Sequence, residues 1–168
     1  MNAKEFQTKI IKEIIKPLFK EYGYGTKGNN FFKKQNNIVK AISIQNFSWN
    51  TKEDLEFCFV FGFYFFKNVN DEIPQNISAH KSDFNLIREP SFLPECRVKG
   101  KYRERFQYHI DLNTNYDEFL DLLIKDFKDY IFPKFEAINN INNCVEYFKD
   151  IKVFHDILTH ILSKKELI

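Results

Sequence analysis

Apolar residues recur every three to four positions near both ends of the chain and every second position through its middle, which predicts helices at the ends and strands between them. Phe6, Ile10, Ile14 and Leu18 repeat at four-residue intervals, widened by Ile11, Ile15 and Phe19, so residues 1–24 read as a helical segment. Pro17 lies inside it and predicts a kink or break near Lys16, because proline lacks an amide donor and crowds the carbonyl four residues back. Gly23 is placed to end the helix in the left-handed conformation, and residues 23–30 read as a turn.

Residues 30–66 carry the strands. Asn30–Lys34 is followed by a tight reversal at Gln35-Asn36-Asn37, then by Ile38–Phe47, a turn over 48–54 that holds Trp49, and Leu55–Phe66. In the last of these, Phe57, Phe59, Phe61, Phe63 and Phe65 line one face, with Cys58, Val60, Gly62, Tyr64 and Phe66 on the other. A strand apolar on both faces is expected to be central and covered on both sides. The short connections require antiparallel pairing. Gly62 interrupts a bulky face, so a close neighbour is expected there, with the N-terminal helix or an aromatic ring as the visitor.

Residues 67–100, broken by Pro74, Pro90 and Pro94, read as irregular, with a short regular piece near Phe84–Arg88. Residues 101–112 alternate cleanly and read as one strand. Residues 114–163 read as helices: a capping signal at Thr114–Asp117, a stripe of Phe119, Leu122, Leu123, Phe127 and Tyr130, a kink or end at Pro133, then shorter helices over 141–149 and 151–163. The expectation is one α+β domain over residues 1–168, with an antiparallel sheet of four to six strands between helical ends.

Composition narrows the function classes. The 168 residues include 20 Phe and are 43% hydrophobic, which excludes a disordered chain. Cys58, Cys96 and Cys144 are too few and too scattered for a disulfide framework or a metal cage, so a reducing compartment is expected. Residues 1–50 carry a net charge of +6 and residues 51–168 a net −4, but the total of +2 is too mild to argue for nucleic acid. The five phenylalanines of the central strand are core rather than a base-stacking platform, and Lys33, Lys34 and Lys40 read as a modest basic surface. The longest apolar run, Phe57–Phe66, is too short to span a bilayer as a helix, and Met1–Lys20 has no leader pattern; a soluble, cytoplasmic protein without membrane contact is expected.

The chemistry-bearing motifs are sparse. Gly23, Gly25 and Gly28 resemble a phosphate cradle, but the loop precedes a strand rather than a helix. His155 and His160 face different ways around a helix, and no paired Cys or His spacing supports zinc, so neither metal nor cofactor is expected. The polar face of residues 101–112 is more informative. On one strand, Arg103, Arg105, Gln107 and His109 project to the same side, and Gln45 joins them if its strand lies alongside. Two arginines at that spacing form a fork for carboxylate or phosphate, and His109 adds an imidazole for proton transfer. The plain alternative is a polar face turned to water.

Pro17-Leu-Phe-Lys-Glu-Tyr-Gly-Tyr24, Thr26-Lys-Gly-Asn-Asn-Phe-Phe-Lys-Lys34, the strand from Ile38 to Ile44, Gln45, Trp49 and the long apolar strand together resemble the bacterial domain-of-unknown-function family 4304 over residues 5–66. Gly25 stands where the family carries a basic residue. The resemblance implies a small α+β bacterial domain with no assigned activity, and it admits an immunity or accessory role beside bacterial toxins. The expected function is a non-enzymatic module that binds another protein or a small anionic ligand. A small enzyme built on His109 and the arginine pair is the second reading, and a weak nucleic-acid binder the third.

Overall fold

Both helix-interior prolines sit in continuous helices, and a π-helical turn directly ahead of each explains why. In the computed structural model, which describes residues 1–87, 92–94, 97–104 and 107–168, α1 (Ala3–Ile10) runs through a π turn at Ile11–Ile15 into α2 (Lys16–Glu21). The Lys16 amide bonds five residues back to the Ile11 carbonyl, one position before Pro17. The wider turn absorbs the missing donor and the ring, so the expected kink does not break the helix. The same device recurs where α3 (Tyr116–Lys125) passes through a π turn at Asp126–Ile131 into α4 (Phe132–Ala137), with the Phe132 amide bonding the Phe127 carbonyl ahead of Pro133. Helices α5 (Ile141–Phe148) and α6 (Lys152–Lys164) complete the chain. Asn2 and Asn115 cap α1 and α3 through their side chains. Gly23, at φ +82°, closes α2 with amide bonds from Gly23 to Lys20 and from Tyr24 to Phe19.

The strands, among the described residues, form one antiparallel sheet: β1 (Gly25–Lys27), β2 (Asn30–Gln35), β3 (Ile38–Asn46), β4 (Leu55–Phe65), β5 (Phe84–Ile87), β6 (Arg103–Glu104) and β7 (Gln107–Ile110). Their spatial order is β1-β2-β3-β4-β7-β6, and β5 shares the outer edge of β4 with β7, pairing at Val60–Phe63 while β7 pairs at Leu55–Phe57. The seven strands exceed the four to six expected, partly because residues 23–30 hold β1 and a two-residue hairpin turn at Gly28-Asn29, where Gly28 takes φ +64°. The α+β architecture itself is as read.

Residues 101–112 depart from the expected single strand. Their described residues form two antiparallel strands instead, in which Arg103 pairs with Tyr108 and Glu104 with Gln107. A reversal in mid-segment breaks the period-two parity, so side chains read as one face divide between two.

One sheet face carries Ile38, Ile42, the odd phenylalanines of β4, Tyr108 and Ile110, and it packs under the helices in the main core. Phe19 touches Phe31, Phe127 and Phe132 at centroid distances of 4.3–5.4 Å. The other face carries Val39, Ala41, Cys58, Val60 and Tyr64, covered in part by the chain between β4 and β5 through Ile73, Ile77 and Ala79. No described helix is long and apolar enough to cross a membrane.

Candidate functional site

The stretch of the second sheet face left open by that covering segment gathers Gln45, Trp49, Glu56, Gln107 and His109. Pairing places them there: Gln45 lies opposite Cys58, His109 opposite Glu56, and Gln107 follows two positions before His109 on the same face. The turn between β3 and β4 completes the patch. Trp49, 59% exposed, stacks on buried Phe47 with ring centroids 4.7 Å apart and planes 12° from parallel. Its indole Nε1 donates to Glu56 Oε2 at 2.8 Å, and Gln107 Nε2 donates to the same oxygen at 3.3 Å. Asn50 fixes the turn by donating to the Glu56 carbonyl and accepting from its amide, at 2.6 and 2.8 Å. Thr51 Oγ1 accepts from the Glu53 and Asp54 amides. His109 Nε2 lies 2.8 Å from Asp54 Oδ1. Gln45 Oε1 is buried without a donor among the described residues.

Arg103 does not share this face, which corrects the grouping expected from alternation. Its partner Tyr108 points under the helices, and Arg103 follows, 97% buried. There Arg103 Nη1 bonds Asp126 Oδ2, Tyr108 Oη donates to the same oxygen at 2.9 Å, and Arg97 donates to Oδ1 through Nη2 and Nε at 2.6 and 3.0 Å. Asp126 is fully buried on the π turn. Burial, with the nearby Asp126 charge, holds the Tyr108 phenol well above its ordinary pKa. Arg105 lies outside the described residues. Of the five candidate residues, Gln45, Gln107 and His109 therefore share a face, and Arg103 is opposite them.

The basic surface expected from Lys33, Lys34 and Lys40 does not form as one: Lys33 and Lys40 lie on the helix-covered face and half-buried Lys34 on the other. Lys40 shares the parity of Ile38 and Ile42 and is fully buried. Its ammonium donates to Glu136 Oε1 at 3.0 Å and to the Phe135 carbonyl at 3.2 Å. Tyr24 Oη donates to the same Glu136 oxygen at 2.6 Å, and Lys33 bonds the other. Lys34 bonds the Asp71 carbonyl. Burial works to raise the Glu136 pKa, but hydrogen bonds from Lys33, Tyr24 and Lys40 outweigh it and hold the carboxyl below its ordinary range. Burial lowers the Lys40 pKa to about 8 against the opposing pull of Glu136.

Lys40 carries a pH dependence. An unfolded lysine titrates at about 10.4. Below the folded value both states are protonated, and the folded state bears a buried ammonium. Between the two values the unfolded chain keeps a proton that the folded protein has released, so this contribution to stability rises with pH. The wild-type melting temperature should therefore gain on that of Lys40→Met as pH rises from about 7 to about 10. A difference that stays flat over that range would contradict the assignment.

Among the described residues, no three His, Cys, Asp or Glu side chains come together to hold a metal. Cys58 and Cys144 are buried, and burial raises the Cys144 thiol pKa far from the reactive range.

The sequence model of a family described as "Domain of unknown function (DUF4304)" matches residues 15–137. The chain belongs to this family. No curated protein and no solved structure matches it. The DUF4304 span runs from the end of the first π turn through the whole sheet to the end of α4. It contains the Trp49 patch and both buried charge clusters, and leaves α5 and α6 outside. Trp49 and Glu56 were not singled out from sequence as site residues. The available signal was that Trp49 is the single Trp of the chain, placed in a polar turn where no core could claim it.

Proposed function

We propose that this DUF4304 chain is a non-enzymatic protein-interaction module whose partner docks on the open sheet face around Trp49. The observation that carries this reading is a large aromatic side chain that is exposed and already fixed, by stacking on Phe47 and by its bond to Glu56. Exposed Trp contributes strongly to protein interfaces, and a pre-ordered side chain loses little rotamer freedom on docking. Gln107 and His109 provide a polar rim beside it. Exposed Glu53, Asp54 and Glu104 around the patch favour a partner segment with basic or donor-rich side chains.

The reading as an enzyme needs His109 beside paired arginines, and Arg103 is committed to Asp126 on the opposite face. The anion-binding reading of that face loses the same arginine.

The test is a photo-crosslinking residue at Ser48, identification of the captured protein from a lysate of the source cells, and reconstitution with that protein purified. Trp49→Ala should weaken binding at least about tenfold, or about 1.4 kcal/mol, with the melting temperature unchanged. A captured protein that binds wild type and Trp49→Ala equally rejects the site. Turnover of a small molecule abolished by His109→Ala rejects the non-enzymatic reading.

A further inference from the structure

We infer that a second surface, the groove between the N-terminal helix and the outer strand β1, takes an acidic, extended segment of a partner protein. This goes beyond the Trp49 reading and rests on different residues. The groove, of about 550 Å³, is lined by Lys12, Lys16, Pro17 and Lys20 on the helix and by Tyr24, Gly25 and Thr26 on the other side. Among the described residues, no carboxylate lies within ion-pair distance of Lys12, Lys16 or Lys20, although carboxylates are close by in sequence. Glu21 turns to Lys128 instead, and Glu13 lies near Tyr116. Three like charges thus share one groove without internal compensation, and an acidic occupant supplies it.

The strand side specifies an extended polypeptide rather than a polyanion of any kind. Lys27 and Asn30 flank a two-residue turn, so they form a hydrogen-bonded pair, and the next pair, Thr26 with Phe31, is non-bonded. The amide and carbonyl of Thr26 therefore point outward, into the groove it lines. Thr26 and Gly25 are exposed, and Gly25 offers no side chain to obstruct an approaching backbone. An unpaired strand edge is the feature to which an extended peptide adds. A nucleic-acid strand would need stacking partners, and the one aromatic in the groove, Tyr24, is buried with its hydroxyl committed to Glu136.

The probe is a fluorescent decapeptide of alternating Glu and Val, measured by anisotropy against the full chain. Wild type should bind it with an affinity that falls as salt rises. The combined Lys12→Glu, Lys16→Glu, Lys20→Glu variant should lose at least about tenfold in Kd. A control combining Lys4→Glu, Lys9→Glu and Lys52→Glu, which changes the net charge equally elsewhere on the surface, should lose far less. Thr26→Pro removes the outward amide without touching the β1–β2 bonds and should weaken the peptide several-fold. Trp49→Ala should leave this binding unchanged, which separates it from the partner surface proposed above. Absence of peptide binding, equal losses in the two lysine variants, or tighter binding of a single-stranded oligonucleotide of the same charge would each overturn the inference.

Discussion

Asp126→Ala should be among the most destabilising single substitutions in this protein, at about 3–5 kcal/mol. The carboxylate is fully buried and receives Arg103, Arg97 and Tyr108. It ties the π turn of the long C-terminal helix to the β6–β7 pair and to the irregular chain ahead of it. Removing it strands the Arg103 guanidinium inside the core, where its Nε already lacks a partner among the described residues. The loss comes from an uncompensated buried charge more than from the attraction itself. That distinction has its own test. Arg103→Met combined with Asp126→Leu removes both charges and should be less destabilising than Asp126→Ala alone, although Tyr108 is left to find a new acceptor. Arg97, partly exposed, can turn to water. Denaturant unfolding of the three chains gives the comparison. If Asp126→Ala unfolds within about 1 kcal/mol of wild type, the cluster is not the tether described.

The same cluster marks where the sequence could be read and where it could not. The strands were legible because alternation is a local signal: β2, β3 and β4 lie where the period-two pattern places them, within a residue or two at their ends. The parity of Lys40 was legible too, since it alternates with Ile38 and Ile42, but a lysine on a strand defaults to water unless a partner is known. The partner, Glu136, lies 96 positions away, and no local pattern points to it. Arg103 was misplaced for a related reason. Its segment alternates at every position but Glu104, and only the tertiary fold shows β6 pairing back against β7 within it. The pull inward comes from Asp126, which falls inside the apolar stripe of its helix, four residues after Leu122 and three after Leu123, so the sequence marks a polar group on the buried face but not its partners Arg97 and Arg103. Gln45 shares a face with Gln107 and His109, but not through the adjacency expected: β4 lies between β3 and β7, and the common face comes from parity carried across it. Trp49 was visible as a turn residue, whereas its exposure depends on how far the segment after β4 extends over the second face.

Gly62→Val should destabilise the fold by about 2–3 kcal/mol, near the top of the usual range for overpacking. A Cβ at this position would lie 2.3 Å from Ser82 Oγ, 2.8 Å from the Ala79 carbonyl oxygen and 2.9 Å from Ala79 Cα. The expected close neighbour is there, but it is the short helical turn at Ala79–Lys81 with Ser82, not the N-terminal helix or an aromatic ring. Ser82 can rotate only by giving up its bonds to the Ala79 and Phe84 carbonyls. The Ala79 backbone cannot rotate away, so the turn must lift from the sheet. Lifting strains the bonds that hold this segment down, from the Ala79 amide to Ser43 Oγ at 2.8 Å and from Tyr64 Oη to the Ser78 carbonyl at 2.7 Å. It also exposes the small apolar cluster of Val60, Ile77 and Ala79. For a chain of this length the melting temperature should fall by about 4–12 °C. The damage should be local, so limited proteolysis should cut the segment between β4 and β5 faster while the main core stays protected. Gly62→Ala meets the same backbone atoms and should lose nearly as much, whereas adding Ser82→Gly to it removes one of the three contacts and should restore only part of the loss. A Gly62→Val protein that melts at the wild-type temperature with unchanged cleavage would mean that the turn does not rest on this glycine.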